Sequence, residues 1–139
     1  MSQHFVVYLK QRDMPSPLAW DSAIAGAGFP AKLYTDFDVQ SCSGFPPCSI
    51  NDEISGFEYY ASAVSVEELK QLELAREIDF SILFCAGSRP LEIIAALAAS
   101  SALAAMSDGT IEDPQVGELI AASNAIAWAR SKQARLLAM

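Results

Sequence analysis

The sequence predicts an α+β protein with a mixed or antiparallel sheet. Three observations predict this class: β-rich segments alternate with helical ones, a capping box marks one helix start, and one alanine-rich segment is apolar on all sides. The 139 residues fit one domain, residues 1–139, and their hydrophobic fraction of 52% is enough to fill one core. The predicted order is β-α-β-β-α-β, a ferredoxin-like start, followed by two C-terminal helices.

The first half of the chain opens with strand and helix patterns. Residues 4–10 are apolar on both faces, which predicts a central strand. Ser16 and Pro17 then supply an N-cap and a first-turn proline, so we expect a helix that ends near Gly28. Alternation of side chains over residues 31–37 predicts the second strand.

Residues 38–55 are expected to form a long loop. They contain Gly44, two prolines, Asn51 and Asp52, which favour turns, and long loops in compact domains are often functional. Residues 56–61 alternate again and predict the third strand. The capping-box spacing of Ser65 and Glu68 indicates the start of the second helix.

The second half of the chain predicts one buried strand, one short edge strand and two long helices. Residues 79–86 indicate a strand covered on both faces, and residues 91–106 form an alanine-rich helix that is apolar almost all round and therefore buried. Residues 109–112 are expected to be a short edge strand. Asp113 and Pro114 are expected to begin the last helix, which continues to about residue 137.

Composition disfavours several classes of function. The net charge of −8 argues against nucleic acid as a partner, because such binding depends on lysine and arginine. The longest apolar stretch is shorter than the ~20 residues of a membrane span, so we expect no membrane association. Three cysteines, an odd number, and no pattern of a secretory signal at the N-terminus indicate reduced thiols and a cytoplasmic protein.

The sequence offers little for catalysis or for metal binding. His4 is the single histidine, at a predicted strand end, where a structural or solvated role is the commoner one. Cys42 and Cys48 lack zinc-finger spacing, and Cys85 lies in a strand expected to be buried. Arg89 is expected to pair with Glu92. We therefore predict no catalytic residue, no cofactor and no metal.

Negative charge is concentrated in one part of the sequence. No lysine or arginine occurs between Lys32 and Lys70, while seven acidic residues fall in that interval together with the exposed-looking Tyr34. An acidic surface with aromatic residues attracts and anchors basic proteins, although it can also serve solubility alone. The candidate binding face comprises Asp36, Asp38, Asp52, Glu53, Glu58 and Tyr60.

Two other functions fit the same residues. The protein can be a small-molecule-binding protein or small enzyme that uses Asp36 and Asp38, a D-x-D pair, or Cys42 and Cys48, in a loop-lined pocket. It can also be a homo-oligomer whose alanine-rich or C-terminal helix packs against a second copy.

Three segments carry a resemblance to a known family. They are residues 43–48 (SGFPPC), residues 55–60 (SGFEYY) and residues 108–115 (DGTIEDPQ). The chain resembles a family of small uncharacterised bacterial proteins that are similar to immunity proteins, which protect a bacterium from a secreted toxin. The resemblance implies a protein of immunity type in a family without an established activity, so it assigns no functional residue. Together with the acidic segment, it suggests a protein that neutralises a basic toxin. The family's Gly-Gly before the late strand is Asp108-Gly109 here.

Overall fold

The computed structural model describes residues 3–41, 43–44 and 47–138. It confirms the α+β class. Within these residues the strands form two sheets, both antiparallel, and four α-helices pack around them. The helices are α1 (Pro17–Gly26), α2 (Val66–Leu72), α3 (Pro90–Ser107) and α4 (Ala122–Leu137), and a short 3-10 helix spans Gln11–Asp13.

The larger sheet has six strands and the smaller one has three. In spatial order the larger sheet contains β3 (Ser43–Gly44), β6 (Glu58–Ala63), β7 (Phe80–Ala86), β1 (Gln3–Leu9), β8 (Thr110–Asp113) and β9 (Glu118–Ala121). The smaller sheet contains β2 (Ala31–Leu33), β4 (Pro47–Ile50) and β5 (Glu53–Gly56).

The first strand is central, as its two apolar faces predict. Val7 of β1 lies opposite Ile82 of β7 on one side and Ile111 of β8 on the other, and all three side chains are fully buried. This inner face of the sheet packs against α3. Alternate apolar residues of three strands therefore form one continuous core layer.

The alanine-rich helix α3 is the centre of the core. Its residues from Ile93 to Ala104 are all buried, and α1, α4 and both sheets contact it. The indole nitrogen of Trp20 in α1 donates a 3.0 Å hydrogen bond to the carbonyl of Ala99. Helix α3 is long and apolar enough to cross a membrane, but 72% of that segment is buried inside the protein, as expected for a core helix. From Ile93 to Ala104 its surface is covered by its own chain.

Helix α2 covers part of the opposite face of the larger sheet. The predicted capping box is present: the Ser65 hydroxyl accepts a 3.2 Å hydrogen bond from the Glu68 amide, and the Glu68 side chain accepts from the Ser65 amide. Leu69 of α2 packs with Tyr8 and Ile78 in a second, smaller apolar cluster.

The predicted ferredoxin-like order is wrong. Strand β2 belongs to the smaller sheet, and three strands lie between β2 and β6 along the chain. The second strand ends at Leu33 and not at Phe37, because β4 pairs with only three of its residues.

The segment 38–55 is not a long loop in its described part. It contains β3, β4 and most of β5, with a two-residue turn at Asn51 and Asp52, whose φ angles of 50° and 70° suit a β-hairpin. Gly56 accordingly ends β5, and the next strand begins at Glu58.

The C-terminal part also differs from the prediction. The expected edge strand is β8, and it lies inside the sheet between β1 and β9. Asp113 and Pro114 do not begin the last helix, because the chain first turns, with Gly117 at φ 68°, and adds β9. Helix α4 begins at Ala122.

Candidate functional site

The surface of the larger sheet that faces away from α3 carries the candidate site, and we call it the outer face. Strand register fixes its members, because residues directly opposite each other in antiparallel strands point to the same side. His4, Cys85 and Glu58 lie side by side on β1, β7 and β6. The outer face consists of His4, Val6, Tyr8, Ser43, Glu58, Tyr60, Ser62, Ser81, Leu83, Cys85, Thr110, Glu112, Leu119 and Ala121.

The charged groups of the outer face are all acidic. Glu58 and Glu112 supply carboxylates, and none of the strand residues that form this face is lysine or arginine. The Tyr8 hydroxyl donates a 3.1 Å hydrogen bond to Glu112, and burial, followed by the charge of Glu112, raises the pKa of Tyr8. The charge of Glu58, followed by burial, raises the pKa of the exposed Tyr60. Both tyrosines therefore stay neutral donors at physiological pH.

A cleft of about 350 Å³ lies where the outer face meets the start of α3. The Sγ atom of Cys85 is 3.5 Å from Nδ1 of His4 in this cleft. Burial, followed by the charge of Glu58, raises the pKa of the Cys85 thiol. The cleft is lined by His4, Gly56, Phe57, Glu58, Cys85, Ala86, Gly87 and Glu92.

The turn after β8 fixes the main chain at His4. Gln115 accepts a 2.7 Å hydrogen bond from the His4 amide and donates a 3.0 Å bond from Nε2 to the His4 carbonyl. The same Nε2 contacts Oδ1 of the fully buried Asp113 at 2.5 Å, and Oδ2 of Asp113 meets Nζ of Lys132 at 2.9 Å. Residues of the DPQ motif therefore hold β1, β8 and α4 together.

Two of the predicted site residues lie together on the outer face. Glu58 and Tyr60 are two positions apart on β6 with exposed side chains, 39% for Tyr60, and they interact with each other. Their inward neighbours Phe57 and Tyr59 are buried. The alternation predicted for this strand is confirmed.

The other four predicted residues lie elsewhere. Asp36 and Asp38 are exposed in the turn that follows β2, where Asp36 accepts a 3.4 Å bond from the Tyr34 hydroxyl. A hydrogen bond from the Gln40 amide is the main cause that lowers the pKa of Asp38. Asp52 and Glu53 are exposed at the hairpin turn between β4 and β5. The two pairs therefore occupy opposite ends of the smaller sheet.

Lysine and arginine do not neutralise these carboxylates. In residues 3–41, 43–44 and 47–138, one such salt bridge is present, between Lys132 and Asp113. The expected pair of Arg89 and Glu92 is not formed, since Glu92 lines the cleft instead.

The alternative site at the D-x-D pair and the loop thiols does not converge in the described part of the segment. Cys48 is 4% exposed, and burial, followed by the charge of Asp21, raises its pKa to about 12. Asp36 and Asp38 point to solvent, and Cys42 lies outside the described residues. No group of three or more histidine, cysteine or acidic residues in the described chain could hold a metal ion.

Sequence reasoning missed the pairing of His4 with Cys85. The two residues are 81 positions apart, and each was interpreted alone, His4 as structural or solvated and Cys85 as buried. The structure leaves both partly exposed. Only the register of two central strands brings them together, and no local pattern reports that register.

Two of the segments on which the expected resemblance rests border the outer face. Residues 55–60 include Glu58 and Tyr60. Residues 108–115 include Glu112 and the hydrogen-bonded side chains of Asp113 and Gln115. The resemblance thus falls on surface as well as structural residues. Comparisons with protein-family models, curated proteins and solved structures find no significant match to this chain.

Proposed function

We propose that the protein is a binding module of immunity type that neutralises a basic protein, such as a nuclease-type toxin, at its outer face. One observation carries the proposal. The outer face presents the carboxylate of Glu58 beside the exposed ring of Tyr60 and that of Glu112 three strands away on β8, and none of its strand residues is lysine or arginine.

Electrostatics favours a basic partner on this surface. A net charge of −8 and a face whose strands carry no lysine or arginine attract a cationic protein during diffusion and repel nucleic acid. Tyr60 adds an aromatic anchor of the kind that contributes most to binding energy when a partner covers it. The binding energy then comes from desolvated contacts around Tyr60. The carboxylates increase the association rate and select for basic partners.

We place this interaction in the bacterial cytoplasm. Cys48 and Cys85 are free thiols, which fits a reducing compartment. In this proposal the protein has no catalytic role, and inhibition results from occupation of the partner's surface.

The experiment compares the proteins that two double variants capture from a lysate. Each variant removes two negative charges. Glu58→Gln with Glu112→Gln removes two charges from the outer face, and Asp52→Asn with Glu53→Gln removes two from the hairpin turn. Proteins retained from a native bacterial lysate are identified by mass spectrometry, and the affinity of the retained partner is measured by calorimetry. We expect a basic partner whose Kd rises about tenfold, ~1.4 kcal/mol, for the first variant alone.

Two results would contradict the proposal. One is retention of the same partner with equal affinity by both variants, and the other is a retained partner of net negative charge. Urea unfolding of each variant verifies that a loss of affinity does not reflect a loss of folding.

The cleft supports a second candidate, which is small-molecule binding or a small enzyme. Its volume of about 350 Å³ lies in the range of ligand pockets, and it contains a thiol and an imidazole in contact. These residues differ from Asp36, Asp38, Cys42 and Cys48, which the sequence suggested for such a function.

A further inference from the structure

The cleft contains a nucleophilic side chain next to a base. We propose that Cys85 accepts an acyl group from a small ester, with His4 as the general base that takes its proton. Binding of a basic protein at the outer face does not require this pair, so the inference is independent of that function and deepens the second candidate, a small enzyme at the cleft.

The geometry is that of an activated nucleophile. A nucleophile and its base must lie within hydrogen-bond reach, and Sγ of Cys85 is 3.5 Å from Nδ1 of His4. Both residues are on central strands of one sheet, opposite each other in register, and Gln115 holds the His4 main chain at both its amide and its carbonyl. A site on rigid strands keeps such a contact in place.

The electrostatics of the cleft explain why the thiol needs a base. Burial and the charge of Glu58 raise the pKa of Cys85, so the group is a neutral thiol at neutral pH and not a preformed thiolate. The imidazole of His4 is the neighbouring group that can take this proton, at 3.5 Å from Sγ. Proton transfer therefore accompanies attack on the substrate.

The reaction balances without an external oxidant or reductant. As the sulfur of Cys85 bonds to the carbonyl carbon, its proton moves to Nδ1 of His4. The bond from that carbon to the ester oxygen then breaks, and the leaving alcohol takes the proton from His4. Cys85 is left as a thioester, which water hydrolyses to a carboxylic acid and the free thiol. Glu58 and Glu92 favour esters that carry a positive charge.

The experiment uses p-nitrophenyl acetate with the full chain at pH 7. Nitrophenolate release is followed by absorbance, and peptide mapping by mass spectrometry measures acetylation at Cys85. We expect acetylation of Cys85 in the unmodified protein and a rate about 100-fold lower in His4→Gln, at the lower end of what general-base catalysis contributes. Cys85→Ser removes the thioester label, and the buried Cys48 stays unlabelled.

The proposal is overturned by either of two outcomes. Acetylation of Cys85 at an equal rate in His4→Gln would show that the imidazole does not act as the base. Acetylation of Cys85 no faster than that of free N-acetylcysteine at the same pH would show an ordinary thiol. Far-ultraviolet circular dichroism shows that the variants are folded.

Discussion

At the scale of single residues, Asp113 illustrates how this protein keeps a charge in its interior. The side chain has no exposed area, and an isolated buried carboxylate would cost several kcal/mol. Lys132 meets one carboxylate oxygen, while the amide and side chain of Gln115 bond to the other. The sequence predicts Asp113 only as the start of the last helix and gives no sign of its burial, because the compensating lysine lies 19 positions later, on α4.

The first prediction removes this compensation. Lys132→Met leaves the carboxylate of Asp113 buried without its cation, and we expect the free energy of unfolding to fall by about 3 kcal/mol. Urea unfolding measures the change. Lys32→Met, at an exposed position without a salt bridge, is the matched control and should alter stability by about 0.5 kcal/mol or less. Equal effects of the two substitutions would contradict the role of Lys132.

The second prediction concerns pH and the buried thiol of Cys48. Its folded pKa is raised from 9.0 to about 12, so above pH 9 the unfolded chain releases this proton while the folded chain keeps it. The unfolded state then binds fewer protons, and stability falls as pH rises from about 9 to about 12. Over this window the free energy of unfolding should fall more steeply for the unmodified protein than for Cys48→Ala, by about 1.4 kcal/mol per pH unit.

Chemical denaturation at a series of pH values measures this difference. Below pH 8 the two stability curves should run parallel, because the thiol is protonated in both the folded and the unfolded state. Parallel curves above pH 9 would show that Cys48 ionises in the folded protein. Tyr8, whose pKa is also raised, is present in both proteins and cancels from the comparison.

At the scale of elements, strongly periodic segments were predictable and short paired ones were not. The capping box, the two-faced apolar strands and the alanine-rich helix are local signals, and α2, β1, β7 and α3 follow them. The strands of segment 38–55 are two to four residues long and are stable only through pairing with distant partners. Asn51 and Asp52 did signal a hairpin, but their turn character was attributed to a loop.

The contact of α3 with α4 depends on small side chains. Ala125 and Ala129 lie four positions apart on one face of α4, and both are fully buried. Small side chains on α3 and α4 permit a close approach of the two helices, and we expect a larger residue at this contact to destabilise the protein.

The third prediction tests this contact. Ala129→Leu overpacks the interface, and we expect a loss of about 1–3 kcal/mol in the free energy of unfolding. Ala127→Leu introduces the same residue two positions earlier, where the side chain is exposed, and serves as the control. Thermal unfolding by circular dichroism compares them, and a stability of Ala129→Leu equal to that of the control would contradict close packing.

At the scale of the whole molecule, the two ends of the chain build one sheet. Strand β1 pairs with β7 and β8, whose residues follow more than 70 positions later. The central strand therefore has no complete set of hydrogen bonds until the C-terminal part is present. Contacts of such long sequence separation also make folding slow relative to helical proteins of this size.

The fourth prediction divides the chain between Asp108 and Gly109. The fragment of residues 1–108 lacks β8, β9 and α4, so it exposes an edge of β1 and the face of α3 that α4 covers. We expect it to show no cooperative thermal unfolding and no near-ultraviolet signal from packed aromatic rings. Addition of residues 109–139 should restore both signals, and a cooperative transition of the first fragment alone would contradict this architecture.

The acidic surface also takes its form at the molecular scale. The sequence interval without lysine or arginine is real, but the fold distributes its carboxylates over the outer face, the two ends of the smaller sheet and the first turn of α2. Glu112, outside that interval, joins Glu58 on the outer face. Adjacency in sequence therefore predicted only part of the candidate surface. The rest was missed because strand register, and not distance along the chain, determines which charges are neighbours.

The sequence by itself determined the α+β class, the central position of β1, the buried alanine-rich helix and the exposure of Tyr60, since these depend on local periodicity and composition. Only the tertiary structure decided the two-sheet topology, the salt bridge that buries Asp113 and the contact of His4 with Cys85. Each of these depends on pairing between residues far apart in the chain. Such pairing is selected by the free energy of the whole packed molecule and leaves no mark in any short segment.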